Sequence, residues 1–517
     1  MSLTTRMRFL QGMTLGILAT FLPAMPCQAA GEIAEPLVEK RVKRLGPAPD
    51  MLPQTTAISP DGQRMAYLVK RRNLYVVVCD GKEGPALHAV SHPRFSPDSR
   101  RMAYLARQDT EAFVICDGQK GKSYTAFSTY HEREDKVSGL DYLGLQAGYF
   151  ETFGPTFSPD SRHLAYGMRR LHVGVLIVCD GREGRVYGLV GKPVFSPDSQ
   201  HLAYEAFDRR TKDADQSRLR RGDEDDNRFV VCDGTEGPRY WSLPDYMQWD
   251  QSPVFSPDSK RLAYAASREG GKKGFVVCDG KEGREYDGVA RPVFSPDSQH
   301  LAYWAVRDTR PFIVHDGREG DVPAVDVHIE QRMHPLCFSS DSQQVAFVTM
   351  NADFTKCIVC GGRRGRNYKD LRCPMFSPGG QLVYFAVRER FVYARPDLDS
   401  ARFIICDGKE GPVYDDTRPD WLTLASLGGP QWVLQEYPFF SDDGRHLFYR
   451  ARRDDKYFMV CDGMEGPPHA WVWIPEQFDK VPGKLQYVVG DGKDVWLVET
   501  DWPPGRNWAS GLVEPRD

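Results

Sequence analysis

The twelve residues PVFSPDSQHLAY stand at 193–204 and again, letter for letter, at 292–303. Shorter variants run along most of the chain: ISPDG at 58, FSPDS at 95, 157, 195, 255 and 294, FSSDS at 338, FSPGG at 376 and FSDDG at 440. Each is answered downstream by a second phrase, CDG beginning at Cys79, Cys116, Cys179, Cys232, Cys278, Cys406 and Cys461, with HDG at His315 and CGG at Cys360. Such self-similarity restricts the chain to a repeat architecture, in which each unit is one small motif whose apolar faces are covered only by its neighbours.

One unit reads as four antiparallel strands. PVF is short and apolar; in SPDS, Ser196 suits the first place of a type I turn, Pro197 presets φ at the second and Asp198 fits the third. HLAYEA and RFVVC follow as strands rich in β-branched and aromatic residues. DGTEG, with Gly234 and Gly237 free to take positive φ, then turns the chain into PRYW as a fourth strand. Apolar residues fall on both faces of this meander, so units must stack, and a radial stack also limits exposed sheet edges. The fold class is therefore all-β, a β-propeller of four-stranded antiparallel blades, with about nine repeats plus a C-terminal half-repeat over residues 55–500. The half-repeat, residues 485–500, reads as the first phrase only. Residues 30–54 are expected to complete a blade with it, and 501–517 form a tail. The number of blades, and whether they make one ring or two, is not readable from local phrases. Ala103, Ala165, Ala203, Ala263 and Ala302, each inside an L/M-A-Y strand, mark places where blades approach closely.

The FSPDS…LAY phrase resembles the WD40-like repeat of bacterial propellers, found in TolB-type periplasmic proteins and in prolyl oligopeptidases. The resemblance implies the propeller fold and no single function, since this fold serves many. TolB-type proteins carry an α/β domain before the propeller and prolyl oligopeptidases a hydrolase domain; neither is expected here, and no G-x-S-x-G nucleophile elbow occurs.

Residues 1–29 read as a signal peptide, with Arg6 and Arg8 ahead of an apolar run from Phe9 to Met25 and a small-residue cleavage site ending at Ala29. The expected location is periplasmic or secreted, with no membrane-spanning segment after cleavage. Charges of both signs are interspersed around a formal net charge of −4, which excludes nucleic acid as a partner class.

Twelve cysteines in an exported chain suggest disulfides, but eight share one repeat position and are set apart in separate blades, beyond bridging distance. They are expected to be buried, unpaired thiols. Cys357 and Cys360 point to opposite faces of one strand, and whether Cys337 and Cys373 meet is open. No metal or cofactor is expected, because turn formation explains the Asp-Gly phrases and no H-E-x-x-H occurs.

Departures from the repeat are one-sided. From the CDG glycine to the next phrase the spacing runs 14, 39, 14, 21, 14, 21, 14 and 32 residues. The other gap widens only between Phe195 and Cys232 and between Phe376 and Cys406. In a meander both connections emerge on the same side, giving one elaborated face and one plain face. The stretch 205–228 is polar, whereas the other insertions carry Tyr130, Tyr142, Tyr149, Trp241, Tyr246, Trp249, Trp421, Trp432, Tyr437, Trp471 and Trp473. With carboxylates such as Asp245, Asp250, Asp420 and Glu436 nearby, these aromatics suit a protein, peptide or cell-envelope glycan; equally, they pack their own loops. No catalytic residue is assigned. The leading expectation is an exported, non-enzymatic binding propeller, and the alternative a propeller-type glycoside hydrolase or lyase with carboxylates at the channel mouth.

Overall fold

The computed structural model describes residues 37–47, 56–125, 154–208, 227–240, 253–268, 273–308, 310–320, 336–351, 353–387, 402–414, 438–441, 443–453, 456–475, 483–502, 509 and 512. Among them there is no α-helix, and no helix long and apolar enough to cross a membrane. Ten antiparallel sheets form the blades of a β-propeller. Blades 1–9 follow the phrases in order: 57–87, 89–125, 156–183, 189–236, 254–282, 288–319, 337–368, 370–410 and 439–465. In blade 2 the first and fourth strands are each broken in two, as is the first in blade 4.

The tenth blade corrects the expected count of about nine. Trp471–Trp473, Lys484–Gly490 and Asp494–Asp501 are its first three strands, and Lys40–Pro47, from the opposite end of the chain, pairs along Asp494–Asp501 as the fourth. Residues 485–500 therefore hold the second and third strands of a blade, not a first phrase. Tyr487 stands where LAY places its tyrosine, with its hydroxyl 3.5 Å from a Cβ built on Gly466 of blade 9.

Alternation along the second strand divides each blade between its neighbours. In blade 1, Met65 and Tyr67 pack with Leu45, Val488, Val495 and Leu497 of blade 10, while Ala66 and Leu68 pack with Phe95, Met102 and Tyr104 of blade 2. Ala103 and Leu105 of blade 2 then meet Leu164, Tyr166 and Met168 of blade 3. The LAY alanine thus faces the following blade and the tyrosine the preceding one. Ala66, Ala103, Ala165, Ala203, Ala263, Ala302 and Ala346 are all completely buried, so their small size sets how near the next sheet lies.

The two tight turns follow their letters closely. Ser199 N–H donates to the Ser196 carbonyl at 2.9 Å, closing the SPDS turn. In the CDG hairpins both central residues have positive φ, 50° at Asp233 and 78° at Gly234, the signature of a type I′ turn whose twist matches the flanking strands. Two expectations are corrected. Gly237 is not a positive-φ residue; a Cβ there would lie 3.1 Å from the Val230 carbonyl and 3.7 Å from the Tyr264 hydroxyl of the next blade, so it marks a close approach. The fourth strand begins at once after the turn, at Thr235–Glu236, and PRYW adds only a bridge between Tyr240 and Arg228.

Candidate functional site

At one end of the ring the turns of successive blades are tied together. Within SPDS, Ser196 Oγ donates to Asp198 Oδ1 at 2.5 Å and accepts the His201 N–H, while Asp198 Oδ1 accepts the Gln200 N–H. The carboxylate in turn leaves the Asp198 N–H pointing outward, and it donates to Ser259 Oγ of the next blade at 2.9 Å. The same link runs from Asp61 to Ser99, Asp98 to Ser161, Asp160 to Ser199, Asp258 to Ser298 and Asp297 to Ser342. Every accepting serine has φ between 63° and 66°, a region that favours glycine. Blades 1, 8 and 9 place Gly62, Gly380 and Gly444 there instead, which relieves the backbone and removes the hydroxyl.

The CDG turns lie at the same end. Asp80 Oδ1 accepts the N–H of Met65, the first residue of the second strand, and Asp117, Asp180, Asp233, Asp279, Asp316, Asp407 and Asp462 do the same in their blades. In blades 1, 2 and 5 an arginine spans to the next blade: Arg64 reaches the carbonyls of Ser99 and Arg100 and lies over the Phe95 ring, and Arg101 and Arg261 repeat this. In blades 3, 4 and 9 a histidine takes the place, with Nδ1 of His163, His201 and His446 at 2.6–2.7 Å from the turn carboxylate. His163 and His201 stack on the phenylalanine of the following phrase. His446 stacks on Trp502, 4.5 Å between centroids, so here the stacking ring comes from the tail. Leu512, further along it, packs at the boundary of blades 8 and 9.

Cysteine, histidine and aspartate side by side in blades 3, 4 and 9 have the composition of a nucleophilic triad but not its wiring. The imidazole Nδ1 is spent on the carboxylate, and the thiol's own polar contact is that same carboxylate, at 3.9 Å for Cys179 and Cys232. Burial first, and then the adjacent aspartate, push both thiols up to about 11, the opposite of an activated nucleophile. Cys79, Cys116, Cys179, Cys232, Cys278 and Cys360 are half-buried rather than buried, Cys406 and Cys461 are buried, and all eight are unbridged. Cys357 is buried and Cys360 half-buried, both free, as is Cys337, which donates to the Ala346 carbonyl. The side chain of Cys373 lies outside the described residues.

A second set of ties joins the fourth strands. Tyr124, Tyr187, Tyr286 and Tyr368 each donate to a glutamate of the next blade, Glu183, Glu236, Glu319 and Glu410, at 2.8–3.4 Å. Basic groups complete the cluster: Lys122 and Arg170 at Glu183, Arg284 and Arg307 at Glu319. At blade 10 the carboxylate comes from Glu39. It bonds His469 of blade 9 at 2.8 Å and accepts the Tyr487 hydroxyl.

With both tight turns at one end of each blade, the second-to-third and fourth-to-first connections start from the other. Thr125, where the longest insertion departs, accepts the Leu171 N–H from the second-to-third turn of blade 3 at 2.8 Å. Tyr130, Tyr142, Tyr149, Trp241, Tyr246, Trp249, Trp421, Trp432 and Tyr437 lie outside the described residues, as do Asp245, Asp250, Asp420 and Glu436. Trp471 and Trp473 are described, and the structure places them not on a loop but in the first strand of blade 10, half-buried against the core shared with blade 1. Glu39, the serine hydroxyl links and Trp502 carry no repeat letter that marks their partner, and sequence reasoning passed over them.

No family model matches the chain, and no curated protein matches it. Solved structures do. A eukaryotic initiation factor is similar over 90% of this chain and 93% of its own, at 12% identity and a TM-score of 0.39. The putative TolB of Agrobacterium tumefaciens covers 44% of this chain and 80% of its own at 18% identity and a TM-score of 0.25. The propeller domain of the Trilobed protease of Pyrococcus furiosus covers 62% and 96% at 12% identity and a TM-score of 0.29. At these values the likeness is one of architecture alone.

Proposed function

We propose that the protein is an exported, non-enzymatic propeller that binds a protein, peptide or envelope glycan through its elaborated face. The observation that carries this reading is the asymmetry of the ring. On the turn face, serine hydroxyls, aspartate carboxylates, arginines and histidines are engaged in ties within and between blades, whereas the long and variable connections all depart from the other end. A rigid ring holding variable loops on one side is a common arrangement for recognition, and the aromatic residues in those connections are of the kind that anchor interfaces.

The test is a pull-down from detergent-solubilised envelope extract together with a glycan array. It compares the whole chain with variants in which Trp421 and Trp432 are changed to alanine or the connection 126–153 is shortened to the length found between blades 1 and 2. Partners lost in either variant support the reading. Partner lists that stay the same, with the ring intact by circular dichroism, refute it.

A further inference from the structure

Blade 6 departs from the repeat at one chemically specific place. Where the other units put cysteine before the turn Asp-Gly or Gly-Gly, it has His315, and where blades 1, 2 and 5 put arginine it has His300. Blade 6 alone therefore sets two imidazoles beside one carboxylate. His300 Nδ1 lies 2.6 Å from Asp316 Oδ2, and His315 Nε2 lies 3.7 Å from the same oxygen. All three donor atoms fall within 4.8 Å of one another.

We infer that His300, His315 and Asp316 form a binding site for a divalent transition metal, Zn2+ above all, on the turn face of blade 6. A tetrahedral zinc with ligands at its usual distances holds neighbouring donor atoms about 3.3 Å apart, and the separations of 2.6 and 3.7 Å lie on either side of that value. The two rings meet at 68°, with their donor atoms within 4.8 Å of one another, so side-chain rotation is the adjustment the site calls for. The carboxylate is already aimed: Asp316 Oδ1 is held by the Leu301 N–H at 2.9 Å, which leaves Oδ2 toward the two imidazoles, where a metal would replace its contact with His300 Nδ1, and such an outer bond is what orients a metal ligand. Two imidazoles with one carboxylate is a donor set used by open zinc sites, and imidazole suits zinc, copper and nickel.

The second support is His315 itself. Its Nε2 is buried and makes no hydrogen bond among the described residues, against a wall formed by the Phe338 ring of blade 7 at 5.5 Å. A thiol at this place, as in the neighbouring units, needs no partner; an imidazole nitrogen does. A metal supplies it. The three side chains remain between one third and two fifths exposed, so the remaining coordination positions face water.

The whole chain, purified without a histidine tag, is titrated with Zn2+ alone by calorimetry, beside His315→Ser and His300→Ala, with the imidazole resonances followed by NMR. Other Cys–His pairs occur in blades 3, 4 and 9, so the readout is the equivalent lost and not total binding. The site predicts that each variant loses one equivalent, or about 100-fold in its affinity, and that the His300 and His315 resonances move together with the first equivalent. His315→Ser restores a small side chain like that of the other units and is expected to fold. Zinc binding unchanged in both variants, no zinc binding in the parent chain, or resonances of other histidines moving first would overturn the assignment.

Discussion

The backbone N–H of Asp198 donates to the hydroxyl of Ser259, 2.9 Å away on the neighbouring blade, and that serine holds φ at 63° to receive it. A left-handed backbone costs a non-glycine residue about 1 kcal/mol, and a neutral hydrogen bond contributes about 1 kcal/mol. Ser259→Gly is therefore expected to leave stability within about 0.5 kcal/mol of the parent, while Ser259→Ala, which keeps the strain and loses the bond, destabilises by about 1 kcal/mol. Thermal unfolding checks the order of the two variants, and amide exchange at Asp198 is expected to quicken in both.

Glu39 ties the closing strand to blades 9 and 10. Its carboxylate is the shared acceptor for His469 and Tyr487, whose side chains are nearly or wholly buried. Glu39→Ala strands both groups and is expected to cost about 3 kcal/mol, with quicker exchange along Asp494–Asp501. Glu39→Gln, which keeps an acceptor, is expected to lose less. Equal losses would assign the effect to charge alone.

Thiol chemistry offers a third check. Cys79, Cys179 and Cys232 are pushed up to about 11 by burial and then by the neighbouring aspartate. At pH 8 their thiolate fraction is roughly 0.1%, against about a quarter for an ordinary thiol. Alkylation of the folded chain is expected to be slower by about two orders of magnitude than after denaturation, and mass spectra without reductant are expected to show the eight repeat thiols unbridged.

Acid acts on the glutamate ties. Lys122 and Tyr124, joined by Arg170, hold Glu183 down at about 2, and Arg307 with Arg284 does the same for Glu319. Both folded values lie below the ordinary carboxylate value of about 4.3. Their stabilisation is thus complete above that pH and is lost as pH falls toward 2. His201 works in the opposite sense: its hydrogen bond to Asp233 raises it, so its contribution is present below about pH 6.5 and fades as pH rises through the folded value. A melting-temperature profile is expected to fall steeply below pH 4.5, and Glu319→Gln is expected to flatten that limb.

The repeated letters disclosed most of the blade. Proline and aspartate specify the SPDS turn, which formed as read, whereas the second hairpin formed one step earlier than read, with Asp233 and Gly234 and not Gly237 at positive φ. The closing blade reads only as a half-repeat to be completed by residues 30–54, without its individual strands, because the outer strand needs only backbone donors and acceptors and one carboxylate, so Lys40–Pro47 bears no phrase letter. Trp502 escaped for a related reason: stacking on His446 asks for a flat ring at the right place and not for FSPD around it. Serine and glycine in the last place of the turn look interchangeable in a sequence, since either completes the reversal. Only a hydroxyl close to the next blade tells them apart. Trp471 and Trp473 read as insertion aromatics because they follow the ninth unit, yet their alternation around Val472 is that of a strand.

The pairing of Lys40–Pro47 with Asp494–Asp501 has a consequence in time. During synthesis or transport the two halves of blade 10 are separated by the emergence of some 450 residues, and loop closure over such a span is slow to be rewarded by contacts. Until the last strand arrives, the face of blade 1 that carries Met65 and Tyr67 has no neighbour and stays wet. Premature termination anywhere before residue 494 thus yields not a shorter propeller but an open array with one apolar end exposed, the kind of surface on which aggregates begin and to which chaperones bind.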